Sequence, residues 1–414
     1  MNLRLPARTR RQTALQTAMN RAGQGQKLRA LLMIAPVLLF LLANFVAPIS
    51  SMLFQGVHDT ALAALWPQTA HDLRRWDGAQ MPPPELVKNF VQELRDTHNP
   101  AAVSELANRL NYDTVGMRSL VMHTLRHREV LDDAAPTASL LRIDPRWGDR
   151  DVWVVMKHAV GPLTSFYMLA AVDRRLDADG QVQFNPQQAI FIPVLLRTLW
   201  ISAVVTILCL LLGFPVAYLL VGVPDRQANM LLILILLPFW TSILVRTTAW
   251  VVLLQSHGVI NDALSGAGIV AHPLALIYNR VGVYIAMTYV LLPYAILPVY
   301  AVMKGIPRSP LRAAVSLGAT PARVFWTVFA PQALPGVLAG ALIVFVLALG
   351  YYVTPALVGG ARDQMISYFI AYYTNQSLNW GMASALSIIL LAATLVLVQF
   401  CARIVGNRAV LWRA

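Results

Sequence analysis

Six stretches of the chain are apolar for long enough to cross a bilayer: 30–54, 194–221, 228–254, 281–303, 334–357 and 383–404. At about 1.5 Å per helical residue each approaches or exceeds a hydrocarbon core of about 30 Å. A cleavable leader competes for the first, but its apolar region would be only about 7–15 residues. The first stretch therefore reads as a retained span, with Pro36 and Pro48 tolerated inside a packed helix. Arg197 stands at the outer end of the second span, and Arg246 lies within the third.

Between the first two spans the period changes. Leu86, Val87, Phe90, Val91 and Leu94 recur at helical spacing. Asn99-Pro100 opens a second helix through Val103, Leu106 and Leu110, and a third runs through Val115, Leu120 and Leu125. Val152–Met156 and Ser165–Val172 read as strands, and 177–180 as a turn into Val182 and Phe184. The expected organisation is a basic tail at 1–29, a span at 30–54, an α+β insert at 55–190, a helical core at 191–406 and a short tail at 407–414.

The loop 304–333 carries its own punctuation. Ser309-Pro310 is a helix-start signal, Gly318 a left-handed stop, and Thr320-Pro321 a second start, with Pro331 limiting the second helix. Two short helices joined at Gly318 follow, and Ala313, Ala314, Gly318 and Ala319 leave room for close approach by another protein.

Charge assigns the sides. Residues 55–190 hold 17 of the 20 acidic residues and 14 of the 33 basic ones, a net of −3 within a chain of net charge +13. The excess of Lys and Arg therefore flanks spans. It marks segments facing the cytoplasm and anionic lipid headgroups, not a nucleic-acid surface. Residues 1–29 carry seven basic residues and the 304–333 loop four (Lys304, Arg308, Arg312, Arg323), with no acid in either. Both termini and this loop are thus expected inside and the insert outside. Cys209 and Cys401 both lie in apolar runs, so the insert has no disulfide and must fold on its own core.

The loop resembles the coupling loop of binding-protein-dependent ABC importer permeases. That pattern is Glu-Ala-Ala, three residues, Gly, nine residues, Ile-x-Leu-Pro. Ala313, Ala314, Gly318, Val328 and Pro331 fit it, while Arg312 replaces the glutamate and Ala330 the leucine. The resemblance covers about 30–55 and 190–406. Residues 197–203 (RTLWISA) and 213–218 (GFPVAY) look most like the spermidine/putrescine branch, which also contains iron, phosphonate and opine systems. It implies an all-α, six-helix type I permease fold in a bacterial inner membrane. It also implies an ATP-binding ABC subunit, a second permease and an extracytoplasmic solute-binding protein as partners. The coupling contacts would fall at Arg312, Ala313, Ala314, Leu317, Gly318, Ala319, Val328 and Pro331. For the insert the family offers no precedent. Its place directly after the first span suggests a docking or gating surface for the binding protein.

Several chemistries lack their residues. None of the four lysines lies in a Gly-x-x-x-x-Gly-Lys-Ser/Thr loop, and neither His-Glu-x-x-His nor Cys-x-x-Cys occurs. No catalytic residue, cofactor or metal is expected, and any ATP drive must come from another chain. Outside the insert the only acids are Asp225, Asp262 and Asp363, all in expected loops, which weighs against an ion-coupled carrier. A membrane sensor would need a larger cytoplasmic output domain than these segments provide.

Arg246 admits two readings, a pathway residue or a structural arginine on backbone carbonyls. The order Pro238, Phe239, Trp240, Arg246, Trp250 resembles the family's third span, which makes Arg246 and Trp240 the candidate pathway residues. Trp240, Tyr284, Tyr289, Tyr294, Tyr300, Tyr351 and Tyr352 could cage an amine or simply pack. His123 and His127 share a helix face, either half a zinc site or a solvated polar face.

Overall fold

The computed structural model describes residues 32–176, 180–186 and 189–411. The expected basic tail, the residues Asp177–Asp179 of the expected turn, and Arg413 lie outside these. The chain divides into two compact units, Met1–Gln55 and Gly56–Ala414.

In the first unit, Leu32–Phe54 is one apolar helix long enough to span a membrane. Its turn at Leu42–Val46 is π-helical, and the Ala47 N–H reaches back to the Leu42 carbonyl. The wide turn ends immediately before Ala47-Pro48. Proline has no N–H for the ladder and its ring crowds the carbonyl four residues back, so a widened turn accommodates it.

The second unit has a bundle of three long helices at its centre: Phe191–Gly222, Arg280–Lys304 and Ala330–Gly350. Gly336 and Gly340 lie one turn apart where the last two meet. A Cβ on Gly336 would sit 2.8 Å from the Val302 Cβ, and one on Gly340 would sit 3.0 Å from the Ala295 carbonyl oxygen. Small residues let the backbones close without a hydrophobic drive from lipid. Two apolar clusters follow one another along the bundle. One gathers Ile201, Val205, Met287, Val344 and Met365. The other gathers Leu220, Val299, Met303, Phe329 and Ala333.

Five described helices are long and apolar enough to span, or six if one bent pair is counted as a single span. That pair corrects the expected third span. Asp225–Trp240 and Ile243–Leu253 meet at 96° instead of forming one rod from 228 to 254. Pro238 lies in a tight 3-10 turn at the break. The fifth span is also shifted: its helix stops at Gly350, and Val353–Val358 is a separate short helix. The last helix, Trp380–Leu411, runs past Ile404 into the segment expected as a tail. Asp262 sits in a short helix, Val259–Gly266, not in a loop.

The insert is more helical than its pattern suggests. The expected helices form at Pro84–Arg95 and Pro100–Asp113, the latter capped by the Asn99 side chain. The third begins only at Met117, because Gly116 adopts φ +104° and leaves Val115 exposed before it. The two expected strands are helices, Arg150–His158 and Phe166–Ala170. Val152–Met156 is buried almost throughout, and a short apolar run buried on all sides has no period to distinguish strand from helix. Among the described residues the β content is one antiparallel strand pair, Arg174–Leu176 against Val182–Phe184, and an isolated bridge between His58 and Leu163.

The insert's core is aromatic. Phe90 lies 5.1 Å from Trp66, 5.0 Å from Trp147 and 5.4 Å from Trp153 by ring centres. Each indole N–H has an acceptor: Thr97 Oγ1, Thr124 Oγ1 and the Trp147 carbonyl, respectively. Buried Arg109 donates to Asp59 (2.8 Å) and Asp113 (2.9 Å) and covers the Phe166 ring at 4.2 Å.

Candidate functional site

The coupling stretch folds as two helices joined at Gly318. The first, Arg308–Ser316, begins earlier than its sequence signal: Pro307 is the boundary residue, and Ser309 makes no cap bond. It ends as expected. Gly318 adopts φ +84°, its N–H donates to the Val315 carbonyl, and the Ala319 N–H donates to the Ala314 carbonyl. This paired closure satisfies carbonyls that the helix end leaves free. The chain then turns through Thr320 into Pro321–Val324.

Pro331 does not limit that second helix. A π-turn, Phe325–Phe329, carries it into Ala330–Gly350, and the Ala330 N–H bonds to Phe325 O. An Ala-Pro follows the widened turn here as at Ala47-Pro48. The result is one continuous element, Pro321–Gly350, joining the exposed loop to a span.

The loop is only partly covered. Leu311, Ile306 and Phe325 pack onto the cluster of Val299, Met303 and Phe329 at the end of the bundle. Val315 is exposed, Trp326 is exposed with its ring edge-on to Phe325 at 5.1 Å, and Leu317 keeps 88% of its surface free. Arg308, Arg312, Ala313 and Arg323 are also exposed, Ala314, Ala319 and Val328 are half-buried, and Pro331 lies beyond, inside the span. Arg312 makes no ion pair among the described residues. A Cβ at Gly318 would meet nothing within 4 Å, so the space over it is open.

The pathway candidates do not stay together. At the 96° break the Arg246 guanidinium donates to the Thr241 carbonyl at 2.9 Å and lies 5.9 Å over Phe239. It supplies a donor to a carbonyl that the interrupted helix cannot serve. Trp240 points away, with 91% of its surface exposed. Nor do the seven aromatics gather at one point. Tyr294 packs on Phe239, Tyr289 on Trp250, and Tyr300 bonds Lys304 at the end of its helix. His123 and His127 have ring centres 4.5 Å apart, and the nearest carboxylate oxygen, from Asp144, stands 4.0 Å from His123.

Polar contacts that no sequence motif announces hold the other end of the bundle. Arg280 pairs with buried Asp363 at 2.9 Å, and Arg197 donates to the Arg362 carbonyl. The Asp173 carboxylate accepts from the N–H groups of Ile190, Phe191 and Ile192 at 3.0, 2.9 and 2.8 Å. The insert thus meets the start of the Phe191–Gly222 helix, and the coupling loop lies at the far end.

The family described as binding-protein-dependent transport system inner membrane component matches residues 188–409, which leaves the insert and first helix outside the match. The spermidine/putrescine transport system permease protein PotB of Haemophilus influenzae is 35% identical over 229 residues, 55% of this chain and 79% of that protein. The Escherichia coli protein of the same name is 30% identical over 223 residues, 53% and 81% respectively. Among solved structures, a bacterial alginate ABC transporter in complex with a pentasaccharide-bound periplasmic protein aligns at 19% identity and a TM-score of 0.44, covering 52% of this chain and 78% of that one. With its spans, its helical core and the family match over residues 188–409, the chain belongs to the binding-protein-dependent inner-membrane transport components: it is a multi-pass permease subunit of an ABC importer.

Proposed function

We propose that this permease forms half of an import pathway for a polyamine of the spermidine/putrescine class. The loop 304–333 takes the power stroke from a separate ATPase, and a second permease completes the pathway. The termini and the loop face the cytoplasm, and the insert faces the periplasm, where it meets the solute-binding protein. The observation that carries the coupling role is that Val315, Leu317 and Trp326 are left exposed in one short stretch that also exposes Arg308, Arg312 and Arg323. Exposed apolar residues among charged ones are what a protein partner covers. The continuous helix Pro321–Gly350 gives any movement of that stretch a rigid route into the membrane. Arg312, where the family places a glutamate, points to an acidic contact on the ATPase.

The substrate class rests on the relatives named above and on the 197–203 and 213–218 runs. A second reading rests on Arg246, whose positive charge at the bent helix suits an anionic solute better than a cation. Uptake of labelled spermidine by cells carrying the complete transporter tests both. Saturable uptake, lost when Gly318→Trp removes the ATPase from the purified complex, supports the proposal. Uptake of an anionic solute with no spermidine competition favours the second reading. Full transport by the Gly318→Trp transporter refutes the coupling role.

A further inference from the structure

Asp173 is an unusual place for a helix cap. It is not next to the helix in sequence, it is 2% exposed, and its backbone is left-handed at φ +58°. Its carboxylate serves three successive N–H groups at the start of the Phe191–Gly222 helix. Its carbonyl accepts from Asn185 N and its own N–H donates to the Ala170 carbonyl, so the residue is fixed on both sides.

Six residues earlier, Tyr167 reaches a different span. The Tyr167 ring lies so close to Gly381 that a Cβ there would be 2.4 Å from Cε2. Gly381 is the second residue of the last helix. The Tyr167 hydroxyl is 3.4 Å from Asp59 Oδ2, which also holds Arg109, so the ring is anchored to the insert's buried ion cluster. A second aromatic chain joins the insert to the Phe191–Gly222 helix through the helix Ile366–Asn375: Tyr112 packs on Tyr373, which packs on Phe191.

We infer that the 166–173 segment is a staple that positions the pathway's outer end. It ties the starts of the Phe191–Gly222 and Trp380–Leu411 helices to one rigid body, so the two move together when the transporter switches access. Asp173 and Tyr167 are positioning residues. They contact no substrate and act through the helices they hold. The staple's outer position rests on the proposed topology, but its linkage of the two helices holds whichever solute is carried and whether or not the insert meets the binding protein.

Hydrogen exchange on the assembled transporter, together with its ATPase activity, tests this. Removing a cap of this kind shifts the joined-to-separated balance by about tenfold. In Asp173→Ala, exchange should quicken at 190–194 and also at 381–385, which Asp173 does not touch. Protection at 86–94, inside the insert core, should persist. ATP hydrolysis without substrate should rise severalfold while solute moved per ATP falls. Asp173→Asn, which keeps one acceptor oxygen, should be intermediate, and it carries the test if the alanine variant does not assemble. Tyr167→Leu should loosen 381–385 first. Faster exchange confined to 190–194, or unchanged coupling of hydrolysis to transport, would make Asp173 a local cap only and overturn the staple.

Discussion

The insert and the 305–329 loop are both excursions from the helix bundle, and they use apolar residues in opposite ways. The insert turns Trp66, Phe90, Trp147 and Trp153 inward until all four are buried, and it satisfies every indole N–H among them. The loop turns Ile306, Leu311, Val324, Phe325 and Phe329 inward and leaves Val315, Leu317 and Trp326 exposed. An excursion of over a hundred residues can build its own core, whereas one of about twenty-five cannot. The insert is therefore finished by its own sequence, while the loop is left with exposed apolar residues that the proposed coupling role would cover.

The largest expected effect breaks the self-sufficient side. Trp153→Ala should destabilise the insert by about 3–5 kcal/mol, because it leaves a cavity beside Phe90 and Trp147. Limited proteolysis between 57 and 186 should become fast, while the ATPase still co-purifies. Loss of the ATPase from this variant would mean that the two excursions are not independent.

Gly318→Val acts on the other side. A β-branched residue at φ +84° costs about 1–2 kcal/mol locally. With open space above the glycine, any larger loss must come from the partner. Transport should fall by more than tenfold while thermal unfolding of the isolated chain shifts little. Trp326→Ala should weaken ATPase binding by about tenfold, within the range for an exposed aromatic anchor, and leave the fold intact.

The smallest effect concerns pH. Burial, opposed by Asp113 and reinforced by Arg109 and Lys157, lowers the His158 pKa. The unfolded chain then takes up a proton before the folded one, so this group's contribution is lost as pH falls below about 6.5. Between pH 7 and 5 the insert should lose stability, and His158→Gln should lose less. Equal losses would assign the acid sensitivity to other groups.

Much of this was legible in the sequence, for reasons particular residues show. Apolar length gave the spans, and Asn99 and Gly318 ended or began helices where expected, because each acts through its own backbone. Ser309 did not cap, because Pro307 had already started the helix. Pro331 did not stop the chain, because a π-turn widened to admit it. Val152–Met156 became a helix because burial erased its period. At the bend near Pro238 the Arg246 guanidinium serves the Thr241 carbonyl, which fits the structural reading of that arginine. The staple instead depends on Asp173 finding amides seventeen to nineteen residues away, which no local pattern encodes.

The affinity of the purified permease for its ATPase subunit, wild type against Leu317→Asp, tests the coupling stretch most directly. A charge placed at the most exposed apolar residue of that stretch should weaken binding by about thirtyfold or more, with the insert still protected from proteolysis. Wild-type affinity in the Leu317→Asp protein would show that the ATPase docks elsewhere.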